Sequence, residues 1–259
     1  MPTFDQLVTD AARAPLSGWD FSWLRARAST EPLPWSYTGE VGGRAGTATA
    51  LLDMGTGGGE VLSTLAPRPH RTVATEAWPP NVPVAARRLC PLGIAVVQDE
   101  GAPDNDSQNG SDRGRLPFRD GAFSLVTNRH ESFRATEVSR VLAPGGTFVT
   151  QQVDFHSYDD LYRLLGLDIP DQPDGWLPLA RQQVQQAGLV IDKTVLGEER
   201  HHFHDVGGVV YYLSLVPWAV PQFSLQAFRD QLRAAWQRAD LWPFTIRQRR
   251  FLLIAVKGP

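Results

Sequence analysis

Sulfur is nearly missing from this chain. One cysteine, Cys90, and two methionines stand among 259 residues. A lone cysteine forms no internal disulfide and has no partners for a tetrahedral zinc site, so folding rests on packing and the cytoplasm is the expected compartment. A run of about 18 apolar residues is also absent, and the opening MPTFDQLVTDAARAP has neither the basic start nor the apolar stretch of a secretory signal. These absences point to a soluble protein with no membrane partner. Excess charge is scarce too. A net charge of −3 does not suggest a constitutive nucleic-acid binder. The densest basic cluster, Arg247, Arg249 and Arg250, and the smaller Arg25 and Arg27, read as solvated flanks of a strand and a helix. Apolar residues, at 42%, are plentiful enough for one larger α/β domain with appendages.

Between residues 48 and 152 apolar runs alternate with helical patterns. TATALLDM, RTVAT, GIAVV, AFSLV and GGTFVTQQV read as strands. GGEVLSTLA, PPNVPVAARRLC and ESFRATEVSRVL read as helices, the second with prolines in its first turn and the third ended by APGG. Strand and helix repeated in this way imply right-handed crossovers and a parallel sheet covered on both faces. Beyond residue 153 WLPLARQQVQQAG, VVYYLSLVPW and SLQAFRDQLRAAWQRA are helical, while GLVIDKTVLGEE and RRFLLIAV are strands. Residues 1–47 hold short helical pieces with Trp19, Trp23 and Trp35, which could form a lid over an acceptor or simply pack against the sheet. Residues 101–115 are polar and suggest a mobile surface loop.

The stretch LLDMGTGGGE, residues 51–60, sets a carboxylate at the mouth of a glycine-rich turn. A phosphate-binding P-loop needs a lysine and a hydroxyl after its last glycine, where this chain has Glu60 and Val61. The dinucleotide fingerprint matches Gly55 and Gly57 but meets Glu60 in place of its third glycine, with Asp53 facing where a pyrophosphate would lie. A ligand cationic at this point would welcome Asp53, and glycines let the backbone come close to it.

In these residues the chain resembles the class I S-adenosylmethionine-dependent methyltransferases, over roughly residues 45–153. Leu51 to Gly59 is similar to the family's first motif, which the resemblance makes cofactor-binding through Asp53, Met54, Gly55, Thr56, Gly57 and Gly59. Glu76, with Ala77 after it, stands where the family places the acid that binds both ribose hydroxyls. Asp99, or Glu100 beside it, is similar to the polar residue facing the adenine amino group. LPFRDGAFSLV and EVSRVLAPGGTFV are close to two further phrases of the family, although Ser124 stands where an aspartate is usual. DMGTGGGE, TEAWPPN, NRHES and TQQV together resemble an uncharacterised bacterial branch. The resemblance implies a doubly wound, seven-stranded, mostly parallel Rossmann-like sheet, its last strand antiparallel. It further implies a segment over residues 1–47, a methyltransferase domain over 48–259 and inserted helices near 206–239.

The acceptor site of an open α/β sheet lies outside the carboxyl ends of its strands, which directs attention to NRHES and to Gln151 and Gln152. Asn128, Arg129 and His130 are the catalytic candidates, and Asn128 is also a cofactor-binding candidate. His130 could take a proton near neutral pH or merely pack beside the cofactor. Asn128-x-x-Glu131 ahead of a helix matches a capping box, the favoured reading for Glu131. Arg129 could hold an acidic group or be solvated, and Gln151 and Gln152 suit either substrate contacts or a polar strand end. No Asn/Asp-Pro-Pro-Tyr/Phe phrase follows the fourth strand, and Cys90 lies far from the acceptor side. HHFHD offers His202 and His204 but too few ligands for a metal. The expectation is methyl transfer from S-adenosylmethionine to a small molecule, with RNA as the lesser alternative. A module that holds the cofactor without turnover and a nicotinamide-dependent oxidoreductase are the competing classes.

Overall fold

The computed structural model describes residues 2–16, 21–102 and 114–259. Trp19 and most of the expected 101–115 loop lie outside the described residues. Helix α1 (Phe4–Arg13) opens on a capping box in which the Thr3 N–H donates to Gln6 Oε1 at 2.8 Å and the Gln6 N–H donates to Thr3 Oγ1 at 3.3 Å. Strand β1 (Ala28–Glu31) and helix α2 (Tyr37–Ala45) follow. The alternating region then supplies β2 (Ala50–Met54), α3 (Glu60–Thr64), β3 (Arg71–Glu76), α4 (Val82–Leu89), β4 (Ala95–Gln98), β5 (Phe123–Arg129), α5 (Ala135–Val141) and β6 (Leu142–Val153). Beyond it come α6 (Asp159–Leu164), α7 (Leu177–Gln186), β7 (Leu189–Phe203), α8 (Val206–Leu215), α9 (Arg229–Gln237) and β8 (Phe244–Lys257).

The sheet has eight strands, in the order β1-β7-β8-β6-β5-β2-β3-β4, and not the expected seven. The extra strand is β1, the polar tetrapeptide ASTE inside a segment that reads as helical. Its pattern carries no strand signal. Residues 200–203 extend β7 past the predicted GLVIDKTVLGEE, and that added length gives β1 an antiparallel partner from Ala28↔Phe203 to Glu31↔Arg200. Strands β2 to β6 pair in parallel, β3 with β2 and β4, and β5 with β2 and β6. The last strand is antiparallel, since the Gly145 N–H bonds the Gly258 carbonyl while the Asp154 N–H bonds that of Arg249.

The chain forms two compact units, and β7 and β8 run through both. One comprises Pro34–Val153, Trp176–Leu196 and Phe251–Pro259. Leu51, Leu52, Leu125 and Val126 of its central strands are fully buried, and Tyr37, Val41 and Ala45 of α2 pack in the same cluster as Leu51, Leu62 and Leu89. Buried strands of a parallel sheet read as continuous apolar runs for this reason. Ser124 takes over local support, accepting from the backbone N–H of Thr49 at 2.9 Å and of Ala50 at 3.2 Å.

The other unit comprises Met1–Leu33, Asp154–Gly175 and Gly197–Arg250. Its core is α8, VGGVVYYLSL, apolar on all sides and buried throughout except Ser214. Asp205 caps it, accepting from the Gly208 N–H at 2.9 Å. A Cβ on Gly207 would meet the Leu7 carbonyl oxygen at 2.7 Å, so only glycine permits this approach of α8 to α1. Here the arginine cluster departs from the solvated-flank expectation. Arg250 is 7% exposed, with Nη2 donating to Glu199 Oε2 at 3.1 Å and Gln248 Oε1 at 2.6 Å. Burial of a guanidinium requires such partners. Arg247 pairs with Asp160 at 2.7 Å and Arg249 approaches Asp154 at 3.7 Å.

Candidate functional site

Three adjacent strands end in three carboxylates. Asp53, the penultimate residue of β2, accepts from Thr127 Oγ1 at 2.7 Å. Burial pushes its carboxyl above the usual range, opposed by the Thr127 hydrogen bond and the charge of Arg129. After β2 the chain turns through Gly55, Gly57 and Gly59, with φ of 64°, 62° and 80°, all left-handed. The Thr56 N–H donates to the Thr75 carbonyl at 2.9 Å, tying the turn to β3. Gly59 then caps α3, and a Cβ there would meet Leu89 at 2.8 Å.

Glu76, last residue of β3 and 4% exposed, accepts from the Gly57 N–H at 2.7 Å and the Trp78 N–H at 2.9 Å. Burial nonetheless raises its pKa, and these two backbone N–H groups only moderate the rise. Asp99 follows β4, accepts from the Gly101 N–H at 3.3 Å, and is likewise raised by burial. Arg129 lends Asp53 a favourable charge, yet at all three carboxylates burial outweighs the groups that oppose it. Carboxylates drawn out of water without full compensation reduce stability, and they cluster where a ligand supplies what the fold withholds.

A pocket of about 290 Å³ opens beside Asp99, lined also by Met54, Gly55, Ala77, Leu116 and Glu131 among others; Asp53 and Glu76 are not part of its lining. A Cβ on Gly55 would lie 2.3 Å from the Glu131 side chain, so the bare glycine keeps this wall in place. A second pocket, of about 480 Å³, has Asp53, Thr127 and Tyr37 at its polar end and Val41, Leu62 and Leu65 along its apolar wall.

At the end of β5 the expected capping box does not form. Helix α5 starts only at Ala135, with Arg134 as its cap and no side-chain cap bond. Asn128 belongs to the strand instead: its Oδ1 accepts from Thr150 Oγ1 at 2.9 Å and from Gln152 Nε2 at 2.5 Å. Its Nδ2 is buried with no partner among the described residues. Gln152 also donates to the Glu131 carbonyl at 3.0 Å. Arg129 is exposed, its guanidinium carbon 5.9 Å from the centre of the Tyr37 ring. His130 is exposed and adopts φ of 59°, left-handed and rare for a non-glycine residue. Its ring reaches Gln151, whose amide oxygen accepts from Trp35 Nε1.

The methyltransferase domain family matches residues 52–150, the span from β2 to β6. Over those residues the chain is similar to a methyltransferase domain. Solved structures share its fold. A candidate methyltransferase of Bacillus halodurans has 18% identity and a TM-score of 0.52, with 86% of this chain and 99% of that one covered. The YcgJ protein of Bacillus subtilis has 17% identity and a TM-score of 0.54, with 86% and 98% covered. A functionally unknown protein of Deinococcus radiodurans reaches a TM-score of 0.57 at 14% identity, with 97% of each chain covered. No curated protein matches the chain.

Within the matched span, the structure brings Asp53, Met54, Gly55, Thr56, Gly57, Glu76, Ala77 and Asp99 to one edge of the sheet. Asp99 lines the smaller pocket, and Glu100 is not part of its lining. Thr127 was missed. Its signal is the register that sets Asp53 opposite Thr127, two polar residues side by side in otherwise apolar strands. Leu116 on the pocket wall carried no chemical signal of its own, and Glu131 was read as a helix cap. Cys90 is exposed at the end of α4. His202 bonds Thr245 Oγ1 at 2.8 Å and Glu31 Oε1 at 3.1 Å, and the described residues hold no cluster of three or more metal-ligating side chains.

Proposed function

We propose that this chain is an S-adenosylmethionine-dependent methyltransferase acting on a small molecule. The observation that carries the reading is the row of three desolvated carboxylates, Asp53, Glu76 and Asp99, beside three left-handed glycines. A pyrophosphate cannot share that edge with Asp53, Glu76 and Asp99, whereas a ligand made of an amino group, a ribose diol and an adenine amino group offers a donor to each. The buried, unpartnered Nδ2 of Asn128 fits the same group as a donor awaiting an acceptor.

When bound, the cofactor supplies an electrophilic methyl carbon on sulfur. Asp53, held by Thr127, would attract the cationic end. Glu76 would accept from the ribose hydroxyls, giving up or sharing its Gly57 and Trp78 contacts, and Asp99 would accept from the adenine amino group. Most of the rate then comes from alignment of acceptor and methyl, so the residues at the end of β5 act by positioning. A small-molecule acceptor is favoured over RNA because the arginines of the densest basic cluster face the carboxylates of Asp160, Asp154 and Glu199 instead of being left for phosphates.

Titration calorimetry with S-adenosylhomocysteine tests the reading. The native chain should bind, and Glu76→Ala should weaken binding by about 10- to 100-fold, the loss of one or two hydrogen bonds to a charged group. Absence of binding by the native chain refutes it. Methyl-labelled cofactor added with a cell extract should then place label in the small-molecule fraction; label in RNA would reassign the acceptor.

A further inference from the structure

Successive residues of a strand point to opposite faces, so Met54 lines the smaller pocket while Asp53 lines the second. That second pocket lies between α2 and α3. Helix α3 is only five residues long, and Leu65 after it is already extended. On α2 the residue beside Leu65 is Gly42, where an added Cβ would come no nearer than 3.9 Å to the Leu65 side chain. A helix end on one side and a glycine on the other keep the two elements apart.

The lining is divided. Val41, Val61, Leu62 and Leu65 make apolar walls, and Asp53, Thr127 and Tyr37 stand at the end nearest the strand termini. Thr127 has one hydroxyl proton, which Asp53 Oδ1 at 2.7 Å and the Leu52 carbonyl at 3.3 Å share. Tyr37 is placed differently. Its hydroxyl is buried and makes no hydrogen bond of normal geometry among the described residues. Burial, with the charge of Asp53 beside it, raises its pKa well above the ordinary value, and the nearby Arg129, Thr127 and Asn128 only moderate the rise. The hydroxyl therefore keeps its proton and can donate. Charge narrows what it can donate to. Asp53 repels an anion, and the apolar walls offer a charged body no partner. A hydroxyl suits this end, since its oxygen accepts from Tyr37 while its proton turns to Asp53.

We infer that the second pocket binds the methyl acceptor, a small uncharged alcohol or phenol whose apolar body lies along Val41, Val61, Leu62 and Leu65 and whose hydroxyl meets Tyr37 and Asp53. The ligand class stands on the pocket alone, and the acceptor role rests on the methyltransferase reading. The polar end lies where β2 and β5 end, at the edge to which the cofactor would bring its methyl group. Methylation there balances without a further reagent. The hydroxyl oxygen's lone pair forms the bond to the methyl carbon, the sulfur–carbon pair returns to sulfur, and the proton passes to the Asp53 carboxylate.

Titration of the full chain with para-ethylphenol tests the pocket. The phenol should bind with a Kd of about 1 mM or below, and para-ethylbenzoate, the same body with an ionised end, about tenfold more weakly or worse. Gly42→Leu sets a side chain between α2 and Leu65 and should weaken phenol binding by about tenfold or more. Gly43→Leu is the control. It replaces a glycine of the same helix with an equally good helix former, and its Cβ meets nothing within 4 Å, so binding should stay native. Tyr37→Phe keeps the ring and should cost about tenfold through the lost hydrogen bond. No binding of para-ethylphenol, equal binding of the benzoate, or binding indifferent to Gly42→Leu or to Tyr37→Phe overturns the site. In the labelled-extract assay Gly42→Leu should lower methyl incorporation by about tenfold or more while S-adenosylhomocysteine binding stays near native, which shows that the variant folds. The labelled product should pass from neutral water into ethyl acetate. Label held in water as an anion, or incorporation unchanged by Gly42→Leu, overturns the acceptor role. Failure of the native chain to bind S-adenosylhomocysteine would refute the methyltransferase reading and leave the para-ethylphenol titrations to decide the pocket.

Discussion

Gly55→Ala separates two costs that a glycine turn usually combines. At φ of 64° any L side chain sits in the left-handed region, which costs roughly 1–2 kcal/mol. The added methyl would also lie 2.3 Å from Glu131 Cγ and 2.5 Å from its Cβ, so Glu131 must shift, and overpacking of this kind costs about 1–3 kcal/mol. Reduced freedom of the unfolded chain offsets about 0.4–1 kcal/mol of this. Gly93→Ala is the control. Its φ of 75° is equally left-handed, yet an added Cβ there meets nothing within 4 Å, so only the backbone cost remains. The difference between the two variants therefore isolates the contact with Glu131, about 1–3 kcal/mol. In a chain of this size 1 kcal/mol moves the melting temperature by roughly 2–4 °C. Thermal melts should place Gly55→Ala at least about 2 °C below Gly93→Ala. Because Glu131 lines the smaller pocket, S-adenosylhomocysteine binding should also weaken about tenfold or more in Gly55→Ala and stay near native in Gly93→Ala. Equal melting temperatures for the two variants would refute the claim that Gly55 is required by its neighbour as well as by its backbone.

Asp53→Asn removes a buried carboxylate whose pKa is raised by desolvation, so the ligand-free protein should melt higher while cofactor affinity falls about tenfold. A lower melting temperature would mean that the Thr127 bond outweighs burial. The pH dependence of binding follows from Glu76 and Asp99. Their folded pKa values lie above the unfolded ones, so in the ligand-free protein their contribution to stability is full below the unfolded value and is lost as pH rises through the folded value. Binding runs the other way. Donors on the ligand favour the ionised carboxylates, so affinity is full above the raised values and falls as pH drops through them. Calorimetry at mildly acidic pH in buffers of different ionisation enthalpy should register proton release on binding; proton uptake would refute the assignment.

The row of carboxylates and the glycine turn were legible because their elements are local. Asp53, the glycine turn and Glu76 lie on one strand, one turn and the next strand, and a parallel sheet carries such neighbours to a common edge. Asp99 follows from the next repeat of the same unit. The rest of the site was not legible. Gln151 and Trp35 are separated by 116 residues, and nothing in either stretch marks the other. Asn128-x-x-Glu131 had the letters of a capping box, but Asn128 sits in β5 opposite Thr150, and pairing with β6 outcompeted a local cap. β1 failed for a related reason, since a polar tetrapeptide becomes a strand only when a longer neighbour offers it an edge. Local chemistry is read from local sequence, and whatever depends on which strands become neighbours is not.

Gln151 and Gln152 show what that neighbourhood adds. Successive residues of a strand point to opposite faces, so two adjacent glutamines can serve two different partners. Gln152 donates to Asn128 Oδ1, which leaves the Asn128 Nδ2 as a buried donor without a partner. Gln151 accepts from Trp35 Nε1 and reaches the His130 ring. Both glutamines are 3% exposed, so neither is a solvated strand end. Gln152 thereby makes Asn128 a donor at the end of β5. The edge is consequently divided by polarity: carboxylate acceptors over β2, β3 and β4, and a buried N–H donor at β5. A cation bearing a diol and an amino group suits the first part. Methyl transfer from a sulfonium also needs a nucleophile beside that cation, and the second pocket has its polar end, Asp53 and Thr127, at the same edge. Gly42→Leu, by filling the apolar length of that pocket, should therefore disturb the acceptor side while S-adenosylhomocysteine binding stays near native.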